Sequence, residues 1–419
     1  MMSTLKKLGL IFVIMGGVFM MARASSAEEL TVTKTVYLEH GASVDPKALV
    51  RTHDNGFIVV GGIEKKGQPK SAWATKTDSE GNAIWRYVLP PREEIHIYDG
   101  PEYSSAAVMP DDSVFLCGRM PFNADKGVSS PGLLTHLDKD GKLLNENMLY
   151  PPDRENVSIT HLISCMQSGN GVVVVGWMTQ FFKNTSTEKN QPPHIETNSY
   201  FVLSLDGNGQ VKWKKLIPLS DKLEGYDFIS PLQTTANGGF ILVSARSLYG
   251  TRVIHINANG EVVASKMLTG TFVAALPMKE ESDIQLVSKE TENLTRVTLN
   301  SDLKEIDRIT EAHEIGEADM VYRLPDQSLI IFSAKHNKDG TYYQARVMAV
   351  NSRLKDEKTV LLGERFESYH AQAGIPLDKV GELVSIRKAI KHSDLGIKAT
   401  DEQLADIRTG VGLDFITLK

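Results

Sequence analysis

The chain has 419 residues, a formal net charge of −6 at pH 7 and a hydrophobic fraction of 41%. Positive and negative side chains are interspersed, which argues against a nucleic-acid partner because such a partner requires a concentrated basic surface. The length suits either two or three ordinary domains or one large closed β-domain.

The N-terminus has the pattern of a secretory signal peptide. Lys6 and Lys7 precede an apolar run over residues 8–21, and small residues follow it. A basic start, an apolar stretch and an A-x-A-like site predict export, with cleavage before Ser25 or Glu28. An uncleaved membrane anchor is the alternative, although the run is shorter than the roughly 20 residues of a membrane span. The sequence thus predicts a periplasmic or secreted protein without a membrane span after cleavage.

A repeated unit occupies the remainder of the chain. Its first half is a turn rich in Asp, Asn, Gly or Ser, followed by a short apolar strand. The copies lie at residues 53–62, 110–118, 168–176, 236–244, 325–333 and 378–385, with a degenerate copy at residues 280–288. In each turn, Asp or Asn folds its side chain onto the backbone ahead and Gly supplies φ > 0, so the pattern predicts a tight hairpin.

The second half of the unit adds a third strand, another tight turn and a fourth strand. These second turns lie at residues 78–82, 138–142, 206–210 and 257–261, with weaker copies at residues 300–304 and 351–355. A four-stranded meander of roughly 45–65 residues has the period of a propeller blade. We therefore predict an all-β fold, a seven-bladed β-propeller of four-stranded antiparallel blades that forms one domain over residues 28–419. Six or eight blades are the alternatives, because the copy near Ile284 is poor.

The chain ends predict how the ring of blades closes. The last unit supplies its third strand at residues 412–418 and lacks a fourth, whereas residues 33–38 form a strand without a unit of their own. Stacking the blades in a ring also removes long exposed sheet edges. We predict that the N-terminal strand completes the final blade.

The units at residues 54–62 and 78–85, echoed at residues 206–213, resemble the repeats of secreted bacterial β-propellers of the quinoprotein-like and delta-60 types. The resemblance implies the architecture and no particular activity, because propellers carry many functions. Trp85 and Trp213 occupy matching places in the fourth strands. We expect them to pack between blades, since the fuller motif of Trp-docked quinone-dependent dehydrogenases is missing.

Long irregular segments fall on one face of the predicted disc. If the strands of a blade are lettered A to D from the channel outwards, the A–B and C–D turns share one face, and the B–C loops and D–A crossovers share the other. Long B–C loops are predicted at residues 120–131, 177–198 and 388–409, the second with the candidate binding residues Phe181, Phe182 and His194. Such loops on a rigid scaffold usually carry binding, so we predict that this B–C face is the functional one.

The first residues of strand A are expected at the mouth of the central channel on the same face. Aligned on the A–B turns, they are Asp45, Glu102, Thr160, Phe228, Phe272, Glu317 and His370, of which the five polar ones are candidate binding residues. Three carboxylates and a histidine around a mouth could hold a cation, a basic substrate group or an acid–base pair. The alternative is that the mouth is polar only because water fills it.

Cys117 and Cys165 are the two cysteines of the chain. The first falls in strand B of the second unit, and the other falls in strand A of the third. These strands belong to neighbouring blades, so the two thiols could form a disulfide in an oxidising compartment. Two buried free thiols are the alternative.

No catalytic, metal-binding or cofactor motif stands out. The H-E-x-x-H, G-x-S-x-G and P-loop patterns are absent, and the turn at residues 138–142 lacks the glutamate of a calcium loop. We therefore predict no metal and no cofactor. The leading hypothesis is an exported, monomeric, non-catalytic module that binds a protein, peptide or glycan through the B–C face.

A propeller enzyme is the alternative hypothesis. It would be a hydrolase, a lactonase or a quinone-dependent oxidoreductase that uses Asp45, Glu102, Glu317 and His370 at the channel mouth. A bound metal or quinone, or a strongly perturbed carboxylate, would favour it. A structural part of an envelope complex is a third hypothesis, which the sequence does not separate from the first.

Overall fold

The structure, a computed structural model, describes residues 30–418 with gaps. The gaps are residues 40–41, 66, 91–99, 121–129, 150–156, 184–193, 219–227, 230–231, 236–237, 247–249, 271, 278–282, 291–292, 314–316, 325, 337–342, 356, 363–367, 378–381 and 390–409. The predicted signal peptide, most of two predicted B–C loops and the tip of the third therefore lie outside the described residues. In the described part, no helix has both the length and the apolar character that crossing a bilayer requires.

The strands form seven antiparallel sheets that follow one another along the chain. The N-terminal strand is β1, Leu30–Leu38. Blade 1 contains β2 (Ser43–Arg51), β3 (Phe57–Glu64), β4 (Ser71–Thr77) and β5 (Ala83–Val88). Blade 2 contains β6 (Glu102–Val108), β7 (Val114–Arg119), β8 (Gly132–Leu137) and β9 (Leu143–Leu149). Blade 3 contains β10 (Val157–Ser168), β11 (Gly171–Lys183), β12 (His194–Leu205) and β13 (Val211–Pro218).

Blade 4 has a divided strand A. It contains β14 (Phe228–Ile229), β15 (Gln233–Thr234), β16 (Phe240–Arg246), β17 (Gly250–Ile256) and β18 (Val262–Leu268). Blade 5 contains β19 (Phe272–Pro277), β20 (Ile284–Glu290), β21 (Asn293–Leu299) and β22 (Glu305–Ala312). Blade 6 contains β23 (Glu317–Arg323), β24 (Leu329–His336), β25 (Tyr343–Val350) and β26 (Lys358–Leu361). Blade 7 contains β27 (Ser368–Pro376), β28 (Glu382–Ala389) and β29 (Gly410–Leu418).

β1 closes the ring as the fourth strand of blade 7. It pairs antiparallel with β29, from Leu30 opposite Leu418 to Leu38 opposite Val411, and the sheet runs β1-β29-β28-β27. The predicted seven blades and the predicted closure by the N-terminal strand are confirmed. The degenerate copy near Ile284 forms a complete blade 5.

The hydrophobic core consists of seven layers, one between each pair of neighbouring blades. A strand in the middle of a blade serves two layers, because successive side chains point to opposite faces. In β3, Phe57 and Val59 pack toward blade 7, whereas Ile58 and Val60 pack toward blade 2. This burial on both faces explains why strand B is a continuous apolar run instead of an alternating one.

Six C–D turns share one pattern of hydrogen bonds. In the first, the side chain of Asp78 accepts the backbone N–H of Glu80 at 2.9 Å and that of Asn82 at 2.8 Å. The side chains that accept the equivalent pair are those of Asp138, Asp206, Asn257, Asn300 and Asn351. The fourth residue has φ > 0 in every case, and in the two weaker copies it is Leu303 at 60° and Leu354 at 59°. Those copies are therefore complete turns with leucine in the place of glycine.

Trp85 and Trp213 pack between blades, as predicted. The Trp85 Nε1 donates to the carbonyl oxygen of Lys139 in the next blade at 3.0 Å. A Cβ at Gly141 would lie 2.7 Å from the Trp85 ring, and a Cβ at Gly260 would lie 2.7 Å from the Trp213 ring. Glycine in these C–D turns therefore makes room for the tryptophan of the preceding blade.

A buried ion pair in blade 7 also joins the two ends of the chain. The Arg387 Nε lies 2.6 Å from the Asp414 Oδ2, and the side chains are 1% and 0% exposed. The Thr35 hydroxyl on β1 donates to the Asp414 Oδ1 at 2.6 Å, and the Arg387 Nη2 donates to the Tyr37 hydroxyl at 3.2 Å. This polar network ties the N-terminal strand to strands B and C of the last blade.

Candidate functional site

A β-bulge in strand A determines which residues stand at the channel mouth. In blades 1 to 3 and 5 to 7 the pairing of strand A with strand B shifts by one residue at the same level. The bulged residues are Lys47, Ser104, Ile163, Val273, Asp319 and Gln372. In each of these blades, the residue of strand A at the channel mouth lies two positions before the bulged residue. The blades can therefore be aligned on the bulge instead of on their A–B turns.

The bulges place Asp45, Glu102, Glu317 and His370 at equivalent positions, as the sequence predicted. The side chains of Glu317 and His370 lie outside what the structure describes. In blade 4, which has the divided strand A, the opposite residue in strand B identifies Phe228 as the equivalent, again as predicted.

The prediction was wrong by one residue in blades 3 and 5. The mouth residue of blade 3 is His161 instead of Thr160. In blade 5, Phe272 directly precedes the bulged Val273 and so lies one residue past the mouth level. The A–B turns differ in length. Counted between equivalent paired residues of strands A and B, the turn has five residues in blades 1 and 2, four in blade 3 and six in blade 5. An alignment on the turns was therefore displaced by one residue in blades 3 and 5, in opposite directions. A displacement of one residue along a strand selects a side chain on the opposite face of the sheet.

Thr160 and Phe272 accordingly lie in the interior. Each side chain is 1% exposed. The backbone N–H of Thr160 donates to the carbonyl oxygen of Ser130 at 2.7 Å, which links strand A of blade 3 to the end of the blade 2 B–C segment. Thr160 therefore lies next to the mouth, where its backbone joins blade 3 to blade 2.

In blades 1 to 3, a glycine of strand B pairs with the residue that directly precedes the bulge. A Cβ at Gly118 would lie 1.9 Å from the carbonyl oxygen of Glu102. The corresponding distances are 2.1 Å from Gly61 to Asp45 and 2.5 Å from Gly176 to His161. The absence of a side chain at these positions lets strand B approach the carbonyl group of the mouth residue.

Four basic side chains contact the two described mouth carboxylates. The Lys47 Nζ lies 2.8 Å from Asp45 Oδ2, and the Lys388 Nζ lies 3.9 Å from Asp45 Oδ1. The Lys70 Nζ lies 2.8 Å from Glu102 Oε2, and the Arg119 Nε lies 3.0 Å from Glu102 Oε1. We call these residues the mouth cluster: Asp45, Lys47, Lys70, Glu102, Arg119 and Lys388. Blades 1, 2 and 7 contribute to it.

The cations stabilise the ionised form of both carboxylates. Burial alone would raise the pKa of Glu102, but the charges of Lys47, Lys70 and Arg119 outweigh it and hold that pKa below its ordinary value. Burial likewise opposes ionisation of Asp45, and the neighbouring Lys47 and then Lys388 hold its pKa below the usual range. Burial would lower the pKa of Lys47, but the charges of Asp45 and Glu102 raise it instead.

The bulged residue of one blade reaches toward the mouth residue of the next. Lys47 of blade 1 interacts electrostatically with Glu102 of blade 2. The Ser104 hydroxyl of blade 2 lies 3.0 Å from the His161 Nε2 of blade 3. The bulge turns these side chains toward the adjacent blade, and sequence reasoning missed both of them because a bulge leaves no mark in the turn spacing.

The mouth differs chemically from the predicted acidic site. Sequence reasoning missed all four basic residues of the cluster. Arg119 and Lys388 lie near the ends of strands B, so a search of those strand ends for charged residues could have found them. Among the described residues, no group of three or more His, Cys, Asp or Glu side chains is arranged to hold a metal ion.

Blade 3 has a projecting β-hairpin where an irregular loop was predicted. β11 has 13 residues and β12 has 12, compared with 8 residues in β3 and 6 in β7. The two strands stay paired up to Lys183 opposite His194. Phe181, Phe182 and His194 therefore lie on paired strands, which corrects the predicted loop.

The outer part of this hairpin extends beyond the blade. Trp177 is at the level of the mouth, so the further residues of β11 reach about 20 Å past it at about 3.3 Å per residue. β13 pairs with β12 only from Ser199 inwards. The aromatic and β-branched residues of this segment favour a strand, and the regular blade period had concealed that preference.

Cys117 and Cys165 are adjacent in the layer between blades 2 and 3, and both thiols are free and buried in this structure. Ser105, which pairs with Cys117, accepts the backbone N–H of Cys165 at 3.3 Å. Burial raises the pKa of the Cys117 thiol, and the neighbouring Cys165 raises it further. Their oxidation to a disulfide stays a prediction.

Acid is expected to destabilise the protein partly through the mouth carboxylates. Folding holds the pKa of Glu102 below its ordinary value of 4.5, so its ionised form stabilises the fold above that pH. This stabilisation is lost as the pH falls through the lower folded pKa. We expect the free energy of unfolding of Glu102→Gln, measured with urea, to fall less steeply than that of the wild type between about pH 5 and pH 3.

The control for this experiment is Glu64→Gln, at an exposed carboxylate that ends β3. This variant should keep the wild-type slope, because it leaves the mouth cluster intact. A wild-type slope in Glu102→Gln as well would contradict the stabilising role of the ionised Glu102.

Comparison with known proteins supports the fold. The chain is similar to the crystal structure of the WD40 β-propeller domain of Doa1, with a TM-score of 0.50 and 7% sequence identity over 93% of this chain and 97% of that chain. It is also similar to BBS1N in complex with ARL6DN, with a TM-score of 0.47 and 10% identity over 93% of this chain and 97% of that chain. No family model and no curated protein sequence matches the chain. At 7% identity the first likeness concerns the fold alone, and it agrees with the seven sheets: the chain folds as a seven-bladed β-propeller.

Proposed function

We propose that this protein is an exported, non-catalytic binding propeller that holds a protein, peptide or glycan on its B–C face. Export is inferred from the pattern of residues 1–27. A monomeric state and kinship with secreted bacterial repeat propellers belong to the same proposal. The observation that carries it is the projecting hairpin of blade 3 beside the charged channel mouth.

The asymmetry of the ring supports this choice of face. The C–D turns of the opposite face are short and repeat the same hydrogen bonds in six blades. The B–C side has the extended pairing of β11 with β12 instead. Binding residues concentrate where a rigid scaffold presents elements that differ from the repeat.

The state of the mouth carboxylates favours binding over catalysis. A general acid or base works best when its pKa lies near the operating pH. Asp45 and Glu102 have pKa values below their ordinary range because basic side chains stabilise their ionised forms. Each carboxylate is also held by two basic side chains, so neither is poised to take up a proton near neutral pH.

The test shortens the hairpin and leaves the blade intact. Residues 181–196 are replaced by Asn-Gly, so that the pair Gln180–Thr197 closes on a two-residue turn. The cut spares Thr179, which is buried and whose hydroxyl donates to Asn198 Oδ1 at 2.6 Å. We expect the variant to keep the wild-type melting temperature and to lose the ligand that the immobilised wild-type protein retains from an envelope extract.

The matched control lies on the opposite face. Lys139→Ala alters an exposed side chain in a C–D turn, 66% exposed, and should retain the same ligand as the wild type. Equal retention by the wild type and the shortened variant, with both folded, would overturn the proposed binding face.

A further inference from the structure

We infer that the channel mouth on the B–C face binds an acidic peptide segment, whose side-chain carboxylates contact the cations of the mouth cluster. This inference rests on the proposed function and specifies the chemistry of its ligand. It differs from the readings that the sequence offered, which were a cation, a basic substrate group or an acid–base pair at the mouth, or a mouth that is polar only because water fills it.

The charge balance of the cluster is the first argument. Four basic side chains contact two carboxylates, so the mouth cluster carries two positive charges in excess. Glu102 is only 6% exposed, and of the two carboxylates only Asp45, at 28%, is as exposed as the four basic side chains, which are 20–32% exposed. The cluster therefore presents mainly ammonium and guanidinium groups to solvent, and a partly buried charge is screened less by salt than a fully exposed one.

The donor capacity of the cations is the second argument. An ammonium has three N–H donors and a guanidinium has five. The 3.9 Å separation of Lys388 from Asp45 Oδ1 exceeds hydrogen-bond distance. The Lys388 ammonium can therefore donate to an incoming carboxylate and keep its electrostatic contact with Asp45.

The distribution of the cations favours an extended ligand over a single small anion. Two of the basic residues attach to Asp45 and two to Glu102, and they come from three blades. Lys47 acts on both carboxylates, so the cations line one continuous stretch of the mouth across these blades. Successive carboxylates of an acidic peptide match such a stretch, and like-charged basic ligands are repelled by it.

The experiment measures hexaglutamate binding by isothermal titration calorimetry at low salt, with inorganic phosphate and hexalysine as further probes. We expect hexaglutamate to bind the wild type and to bind Arg119→Gln/Lys388→Gln about tenfold more weakly, because two attractive charges are lost. The variant Glu102→Gln raises the positive excess and should bind hexaglutamate more tightly. Lys139→Gln on the opposite face should bind like the wild type.

The opposite signs of these changes keep the inference testable even if one variant is unstable. Weaker hexaglutamate binding by Glu102→Gln, or preferential binding of hexalysine, would show a site for cations and overturn the inference. Phosphate binding as tight as that of hexaglutamate would show a site for small anions and overturn the peptide assignment. A protein that loses its ligand on hairpin shortening but ignores hexaglutamate would keep the proposed function and discard this inference. Hexaglutamate binding by a protein that retains no ligand from the extract would keep this inference and discard the proposed function.

Discussion

Replacing Asp414 by alanine is expected to lower the free energy of unfolding by about 3–5 kcal/mol, because the buried guanidinium of Arg387 loses its carboxylate partner. The guanidinium of Arg387 is 1% exposed and lies 2.6 Å from the lost carboxylate. The change also removes the acceptor of the Thr35 hydroxyl on the closing strand. Urea unfolding at a constant m-value measures the loss.

The control is an exposed ion pair that also joins β1 to a neighbouring element. The Lys34 Nζ lies 2.9 Å from Glu80 Oε2, with side chains 42% and 69% exposed. Glu80→Ala is expected to cost less than about 1 kcal/mol, because water solvates both charges. The double variant Arg387→Met/Asp414→Leu should recover most of the stability, since no unpaired charge remains. If Asp414→Ala lowered the free energy of unfolding as little as Glu80→Ala does, the buried ion pair would not stabilise the contact between the N-terminal strand and blade 7.

Replacing Gly141 by alanine is expected to lower the free energy of unfolding by about 2–5 kcal/mol, the sum of a left-handed backbone penalty and overpacking. Gly141 has a φ of 81°. Its new Cβ would lie 2.7 Å from the ring of Trp85 in the preceding blade, so the ring or the turn would have to move. Thermal and urea unfolding measure the effect.

Gly169→Ala separates the two contributions. Gly169 has a φ of 58°, and a Cβ there would have no neighbour within 4 Å. We expect a loss of only about 1–2 kcal/mol from the backbone conformation. If Gly141→Ala and Gly169→Ala were equally destabilising, the steric contact with Trp85 would have no energetic role. Trp85→Leu in the Gly141→Ala background should restore part of the stability, because residues in contact are coupled.

The paired positions between blades explain why some turns have leucine. Where the preceding blade has Trp85 or Trp213, the turn has glycine. Blade 4 has Ala264 in the core layer that contains Leu303, the corresponding turn residue of blade 5. A small residue on one side is thus matched by a large one on the other, which keeps the layer filled. The leucine in the degenerate turn of blade 5 therefore reflects compensation between blades 4 and 5.

The sequence was sufficient for features that depend on local chemistry. The positions of the C–D turns followed from Asp or Asn with Gly, because those residues stabilise the turn within a few residues of chain. The number of blades followed from the period of these turns. The unpartnered strand at residues 33–38 and the missing fourth strand of the last unit were enough to predict the closure.

The channel mouth depended on interactions between distant residues. Asp45 and Glu102 were placed correctly by counting from turns of standard length, whereas Thr160 was selected in place of His161 because one turn is shorter. Arg119 and Lys388 lie near the ends of strands B, and a search of strands A for carboxylates does not include them. Their contacts with the carboxylates give the described residues of the mouth cluster an excess of positive charge.

By itself, the sequence determined the all-β class, the seven repeated units and the way the ring closes, since turn chemistry and strand period act over short stretches of chain. Only the tertiary structure decided which side chains meet at the mouth and that residues around Phe181 continue a paired hairpin. A single bulged residue redirects a side chain, and a salt bridge joins residues from different blades. Both effects arise from the register and packing of separate strands, which local sequence patterns do not contain.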